Sequence, residues 1–247
     1  MLPPMGVLGS IKRNPVQWAI GAVVLVAALI VGGVFVIHKI EGKSAPPLSL
    51  STAPTVTTVA GSPTSTAPSS SGDSSSGDGV WKVSSGSTAG YRIKESLFGV
   101  SNTAVGRTTA VTGSITIAAT AVTTGSFSVD LTKVTSDRSQ RDGQFQGRIM
   151  DTSSFPTATF TLTQPIQLGT LPADGVQITA NATGNLNLHR VTKSVTFPVT
   201  ARRSAGTIQV NGSIPITFAD YNISNPSGGP ATTGDSGTME FLINIAH

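Results

Sequence analysis

Cysteine is absent from all 247 residues. That excludes disulfide staples, thiolate metal sites, a thiol nucleophile and a lipid anchor on cysteine. A domain without staples must hold itself together by core burial, so the folded part has to exceed the size of a mini-protein. Charge is also scarce: Asp, Glu, Lys and Arg together make up 11% and aromatics 5%. From Val80 onward, twelve Lys/Arg face nine Asp/Glu with no run of one sign. A nucleic-acid footprint requires a dense basic stripe with interleaved aromatics, so no nucleic-acid partner is expected. With three histidines and no cysteine, the spacing of a His/Cys metal site is missing too. Gly, Ser, Thr and β-branched residues are abundant instead, which favours strands and turns over helical bundles.

One long apolar run breaks this pattern. Residues 16–37 carry no charged side chain and would form a helix of about 33 Å, enough to cross a hydrocarbon layer of about 30 Å. Trp18 stands near one end, with Lys12 and Arg13 before the run and Lys39 and Lys43 after it. The run exceeds a signal-peptide core, and no A-x-A-like site closes it. The expectation is an uncleaved single-pass transmembrane anchor at 16–37, after a short tail at 1–15. Residues 38–78 follow as a Ser/Thr/Pro-rich stalk too poor in large apolar side chains to offset the entropy of ordering. A disordered stalk of this composition belongs to exported proteins. The expected location is therefore the cell membrane, with a cytoplasmic N-terminus and the rest extracytoplasmic, in the cell envelope or periplasm.

Residues 79–247 read as strands. Phe127, Val129 and Leu131 alternate with polar neighbours, as do Phe160 and Leu162, Leu186 and Leu188, Phe197 and Val199, and Phe241 with Ile243. Period two means one buried and one wet face, the habit of antiparallel sheets. Eight or nine strands are expected, and strands of 9–12 residues favour closure into a barrel that abolishes edges. Gly184 and Gly212 are read as bending sites within long strands, and Pro215 as an edge or bulge position. Between 136 and 151 the alternation stops, and a short helix with Phe145, Ile149 and Met150 on its apolar side is expected.

Several passages in order resemble the YceI-like family: Trp81-Lys82-Val83, Tyr91-Arg92-Ile93, and Val111-Thr112-Gly113-Ser114-Ile115. Its most characteristic stretch is matched by Thr135-Ser136-Asp137, Arg141-Asp142, Gln144-Phe145, Ile149-Met150-Asp151 and Phe155-Pro156. A second is matched by Gly184-Asn185-Leu186 and by Leu188 to Val195, with Arg190 where the family usually has glycine. The resemblance implies a lipocalin-like, all-β antiparallel barrel of about eight strands with one short helix. It also implies an apolar cavity for polyisoprenoid lipids such as long-chain quinones or prenyl derivatives, with a bound isoprenoid but no cofactor. A membrane and an isoprenoid or other long-chain lipid are the expected partners; no protein partner is named by the residues.

The alternation puts Phe127, Val129, Leu131, Phe160, Leu162, Leu186, Leu188, Phe197, Val199, Phe218 and Phe241 on the inner face as candidate ligand contacts. Small inner residues such as Ala180, Ala182 and Ala201 leave room for a chain. Arg138, Arg141 and Arg148, on the irregular segment, are candidate headgroup contacts because guanidinium forks suit phosphate oxygens; the competing reading pairs them with Asp137 and Asp142. His189 reads as a structural hydrogen-bonding residue, and no Ser-His-Asp set or carboxylate pair can be assembled around it. The expected function is a membrane-anchored lipid binder for carriage or storage, not an enzyme. The alternative is a cell-envelope interaction domain whose barrel is solidly packed.

Overall fold

The computed structural model describes residues 44–50, 77–169 and 173–247. The apolar run at 16–37 and most of the stalk lie outside them, and no helix among the described residues is long and apolar enough to cross a membrane. The remainder forms one β unit. Its strands are β1 (Gly79–Val83), β2 (Thr88–Leu97), β3 (Val100–Thr108), β4 (Val111–Ala118) and β5 (Ala121–Asp130). Next come the short β6 (Thr135–Ser136), then β7 (Thr157–Leu162), the short β8 (Ile166–Gln167), β9 (Gln177–Leu188) and β10 (Val191–Ser204). The last are β11 (Thr207–Thr217), β12 (Ala231–Thr233) and β13 (Ser236–Ala246).

Antiparallel pairing runs β1-β4-β5-β7-β9-β10-β11-β13 and closes through Lys82 and Val83 against Ala246 and Ile245, giving an eight-stranded barrel. β2 continues along β13 where β1 leaves it, with Arg92 opposite Thr238 and Thr88 opposite Leu242, and β3 covers β2. β3 has no counterpart in the sequence reading. Its Ala104, Val105 and Thr108 are all buried, and covering on both faces erases the alternation that marks a strand.

Gly184 and Gly212 serve close approach more than bending. A Cβ on Gly184 would lie 2.4 Å from Cζ of Phe160 and 2.4 Å from the Thr161 carbonyl oxygen, and one on Gly212 would lie 2.5 Å from Cζ of Phe241. Each glycine gives its surface to an aromatic ring from the neighbouring strand. Pro215 fits its expected edge role locally: β10 and β11 pair only from Val199–Gly212 to Ser204–Thr207, so neither Pro198 nor Pro215 faces a ladder at that seam.

Helix α1 (Ser139–Gln144) is followed by a π-type turn, Phe145–Ile149, that buries Phe145 and leads into buried Met150. This segment lies over one end of the barrel and lines the cavity there. Phe145 stacks on Tyr91 with centroids 5.1 Å apart. Two apolar clusters occupy the two ends of the interior: one around Phe145, Leu188 and Phe218 at the helix end, the other around Trp81, Ile117 and Ile245.

Residues 44–50 differ from the free coil expected of the stalk. They lie along the outer wall with Arg92 Nη1 donating to the Ala45 carbonyl (2.6 Å), Arg107 donating to the Pro46 carbonyl, and Asn211 Nδ2 to the Leu48 carbonyl (2.9 Å). Pro46-Pro47 pre-extends the segment, which leaves its carbonyls free to accept from the wall. Beneath it Glu240, only 4% exposed, accepts from Arg107 at 2.7 Å and from the Leu48 amide at 3.3 Å.

Candidate functional site

The interior holds two adjoining cavities. The inner one, about 200 Å³, has walls of hydrocarbon from Phe127, Phe160, Leu162, Phe197 and Phe241 together with Leu186 and Val199. Ala180, Ala182 and Ala201, where larger side chains would close the space, line it as well. The mouth cavity, about 640 Å³, lies under α1 and is bounded by Leu131, Leu188, Phe218, Phe145 and Tyr91. Both are lined by Ala89, Val129 and Met239, so the two cavities adjoin at these side chains.

All eleven inward residues named from the alternation therefore stand on one wall or the other. They come together because every long strand sends alternate side chains inside. Some also do packing work: Leu186 is 2% exposed, and Phe197 meets Phe160 edge-on with centroids 5.3 Å apart. Sequence reasoning missed Tyr91, Ile115, Ala158 and Met239, which share these walls. Met239 and Tyr91 follow the same period-two rule, so the signal was present.

The three arginines do gather at the mouth, but each is engaged by the chain itself. Arg141 Nη2 donates to Glu95 Oε1 at 2.8 Å, and its Nη1 pairs with Asp137. Arg148 donates to Gln144 Oε1 (3.0 Å) and to the carbonyls of Asn225 (3.3 Å) and Pro226 (2.9 Å). Arg138 lies 3.7 Å from Asp137. Asp142 accepts from the Ser136 amide and hydroxyl at 2.8 and 2.6 Å, tying α1 to β6. Glu95 is the partner the sequence did not disclose, because it reaches the helix from β2. Burial pushes the Tyr91 phenol above its ordinary range, with the Arg141 guanidinium pulling the other way. It remains a neutral hydroxyl at the mouth.

His189 Nδ1–H donates to the Tyr221 carbonyl at 3.1 Å, and its ring meets Phe155 edge-on at 4.3 Å. His189 and Arg190 form the β9–β10 turn at φ +50° and +63°. The left-handed conformation at Arg190 explains why glycine suits that position. The Arg190 guanidinium lies 5.1 Å over the Phe155 ring, a cation–π contact that offsets part of the strain. Among the described residues, no group of three or more His, Asp or Glu converges as a metal centre would.

The YceI-like domain profile matches residues 81–245. No curated protein matches the chain. Among solved structures, a polyisoprenoid-binding domain from Saccharophagus degradans implicated in plant cell wall breakdown superposes with a TM-score of 0.54 at 16% identity, covering 68% of this chain and 98% of that one. BcnA of Burkholderia cenocepacia superposes with a TM-score of 0.52 at 19% identity, covering 67% of this chain and 99% of its own. At these identities the likeness concerns the fold.

Proposed function

Because the chain belongs to the YceI-like domain family, we propose that it is a membrane-anchored, extracytoplasmic lipid-binding protein that holds an isoprenoid-type chain inside the barrel. The carrying observation is the pair of adjoining cavities inside the barrel, the inner one apolar and lined by alanines instead of filled. The polyisoprenoid-binding domain of similar fold supports the choice of ligand class. The apolar run at 16–37 supports the anchor, and the Ser/Thr/Pro stretch after it supports export.

The dimensions shape what is bound. An apolar cavity of about 150 Å³ takes a benzene ring, so the inner 200 Å³ takes about one or two isoprene units. A longer chain extends through the mouth cavity, where its headgroup meets α1. With the arginines already engaged there, the mouth suits a neutral headgroup, a quinone or a polyprenol, better than a pyrophosphate. Each buried methylene gains about 0.8 kcal/mol from water, but the bilayer offers the same. Net affinity rests on fit, and exchange is reversible, as carriage or storage requires. The reading involves no catalysis: the inner cavity is walled almost entirely by hydrocarbon, and the His189 ring is committed to Tyr221 and Phe155.

Native mass spectrometry of the purified 44–247 unit tests the proposal. A co-purifying mass of isoprenoid size, or uptake of added polyprenyl quinone, is expected. A bare mass with no uptake of quinone or polyprenol overturns it in favour of a packed interaction domain.

A further inference from the structure

Phe98 is 65% exposed, ahead of Val176 at 49% and Val80 at 48% among the described large apolar side chains. It sits at the tip of the β2–β3 hairpin. Leu97 pairs with Val100, so the turn consists of Phe98 and Gly99 alone, at φ +52° and +82°. Such a turn is the natural place for Asn-Gly. A phenylalanine there costs about 1–2 kcal/mol of left-handed strain, and its ring buries little in return. Strain kept without a packing reward calls for a function.

The tip stands on the rim of the mouth. The Phe98 amide donates to the Pro230 carbonyl at 3.1 Å, which fastens the hairpin to the 225–231 loop. Leu97, Pro226 and Pro230 line the mouth cavity itself. At the rim the three cations Arg138, Arg141 and Arg148 stand against the three carboxylates Glu95, Asp137 and Asp142, so the charges balance.

A second observation points the same way. Ser44 is seated on this same hairpin, its hydroxyl donating to the Thr103 carbonyl at 2.8 Å and to Asn102 Oδ1 at 3.3 Å. Seven peptide steps separate Ser44 from Ile37 at the end of the apolar run, a reach of at most about 25 Å in any conformation. An anchor in that run would hold the β2–β3 hairpin within that reach of the bilayer, and the long Ser/Thr/Pro stretch after Leu50 adds nothing to it.

We propose that the Phe98 rim docks on the bilayer, with the ring in the boundary between headgroups and acyl chains and the mouth opening toward lipid. The proposal rests on the anchor and on the lipid-binding reading above. It gives the ligand a route from bilayer to barrel that avoids water. Because the rim is uncharged on balance, docking depends on apolar contact and suits zwitterionic lipid at ordinary salt.

The test uses the full chain reconstituted into phosphatidylcholine vesicles containing doxyl-labelled lipid quenchers. Phe98→Trp and, as the control at the other end of the barrel, Val176→Trp are compared after subtracting the signal of Trp18 and Trp81. The indole at position 98 is expected to be quenched and blue-shifted, and the one at 176 to behave as in water. Equal quenching at both positions, quenching at 176 alone, or none at either overturns the docking. In a second arm, Phe98→Asp, which tolerates the left-handed turn, should slow extraction of a polyprenyl quinone from the vesicles by about tenfold. Unchanged extraction overturns the proposal as well. If the parent protein extracts no quinone while the introduced indole is quenched, the lipid-binding reading fails and the docking stands.

Discussion

Val199→Trp distinguishes an open interior from a solid one by the sign of its effect. Val199 faces the inner cavity opposite the small Ala180 on β9, while Gly212, its partner on β11, is covered by the Phe241 ring. In a close-packed core the added ring forces strain and costs about 1–3 kcal/mol. In the cavity seen here it has somewhere to go. If it occupies half of the 200 Å³, relief of cavity at ~24 cal/mol per Å³ returns about 2.4 kcal/mol. The ligand-free 44–247 unit should therefore hold or gain stability in urea. Lipid binding should move the other way: losing three methylenes from the cavity at about 0.8 kcal/mol each weakens binding about fiftyfold. Leu186→Trp is the internal contrast, because Leu186 is 2% exposed and already packed, so it should destabilise. Urea melts of the three proteins and titration with a polyprenyl quinone give the readout. A loss of 1–3 kcal/mol in Val199→Trp with quinone uptake intact would refute the reasoning.

Gly184→Ala should cost about 1–3 kcal/mol, since the new methyl meets both a Phe160 ring carbon and a backbone oxygen at 2.4 Å; chemical denaturation checks it. Glu240→Gln should remove about 1.5–3 kcal/mol of charge-assisted bonding to Arg107 and the Leu48 amide. It should also speed protease cutting near Leu48 and Leu50, and unchanged cutting would mean that the wall does not hold the segment. Tyr91 has a folded pKa raised above its unfolded value, so its contribution is complete below about pH 10 and is lost as pH climbs further. Stability measured from pH 9 to 12 should fall, and less steeply in Tyr91→Phe.

Much of the barrel was legible in the chain. The alternation of Phe127-Val129, Phe160-Leu162 and Phe197-Val199 fixes which side chains face inward, because a strand can send neighbours only to opposite faces. The break at 136–151 marked the helix, and Pro215 marked the part of β11 that has no ladder on its β10 side. β3 stayed hidden because Ala104, Val105 and Gly106 are buried in succession, which breaks the alternation that marks a strand. The Phe-Gly turn at the tip could have been read, since a bulky residue before glycine between two extended runs is already unusual.

Other features depended on contacts far apart in sequence. Glu95 meets Arg141 across 46 positions and Glu240 meets Arg107 across 133. No local pattern assigns such partners, because side-chain pairing is set by where strands cross. For the same reason the arginines on 138–148 could be named as a cluster, but not recognised as occupied. Whether Gly184 bends a strand or makes room for Phe160 turns on the register of β7 against β9, a relation between two strands and not a property of either. The size of the interior likewise follows from how eight strands tilt and close around alanines. Sequence alone determined the composition of the walls; closure of the sheet decided how much space they enclose and which rim it opens on.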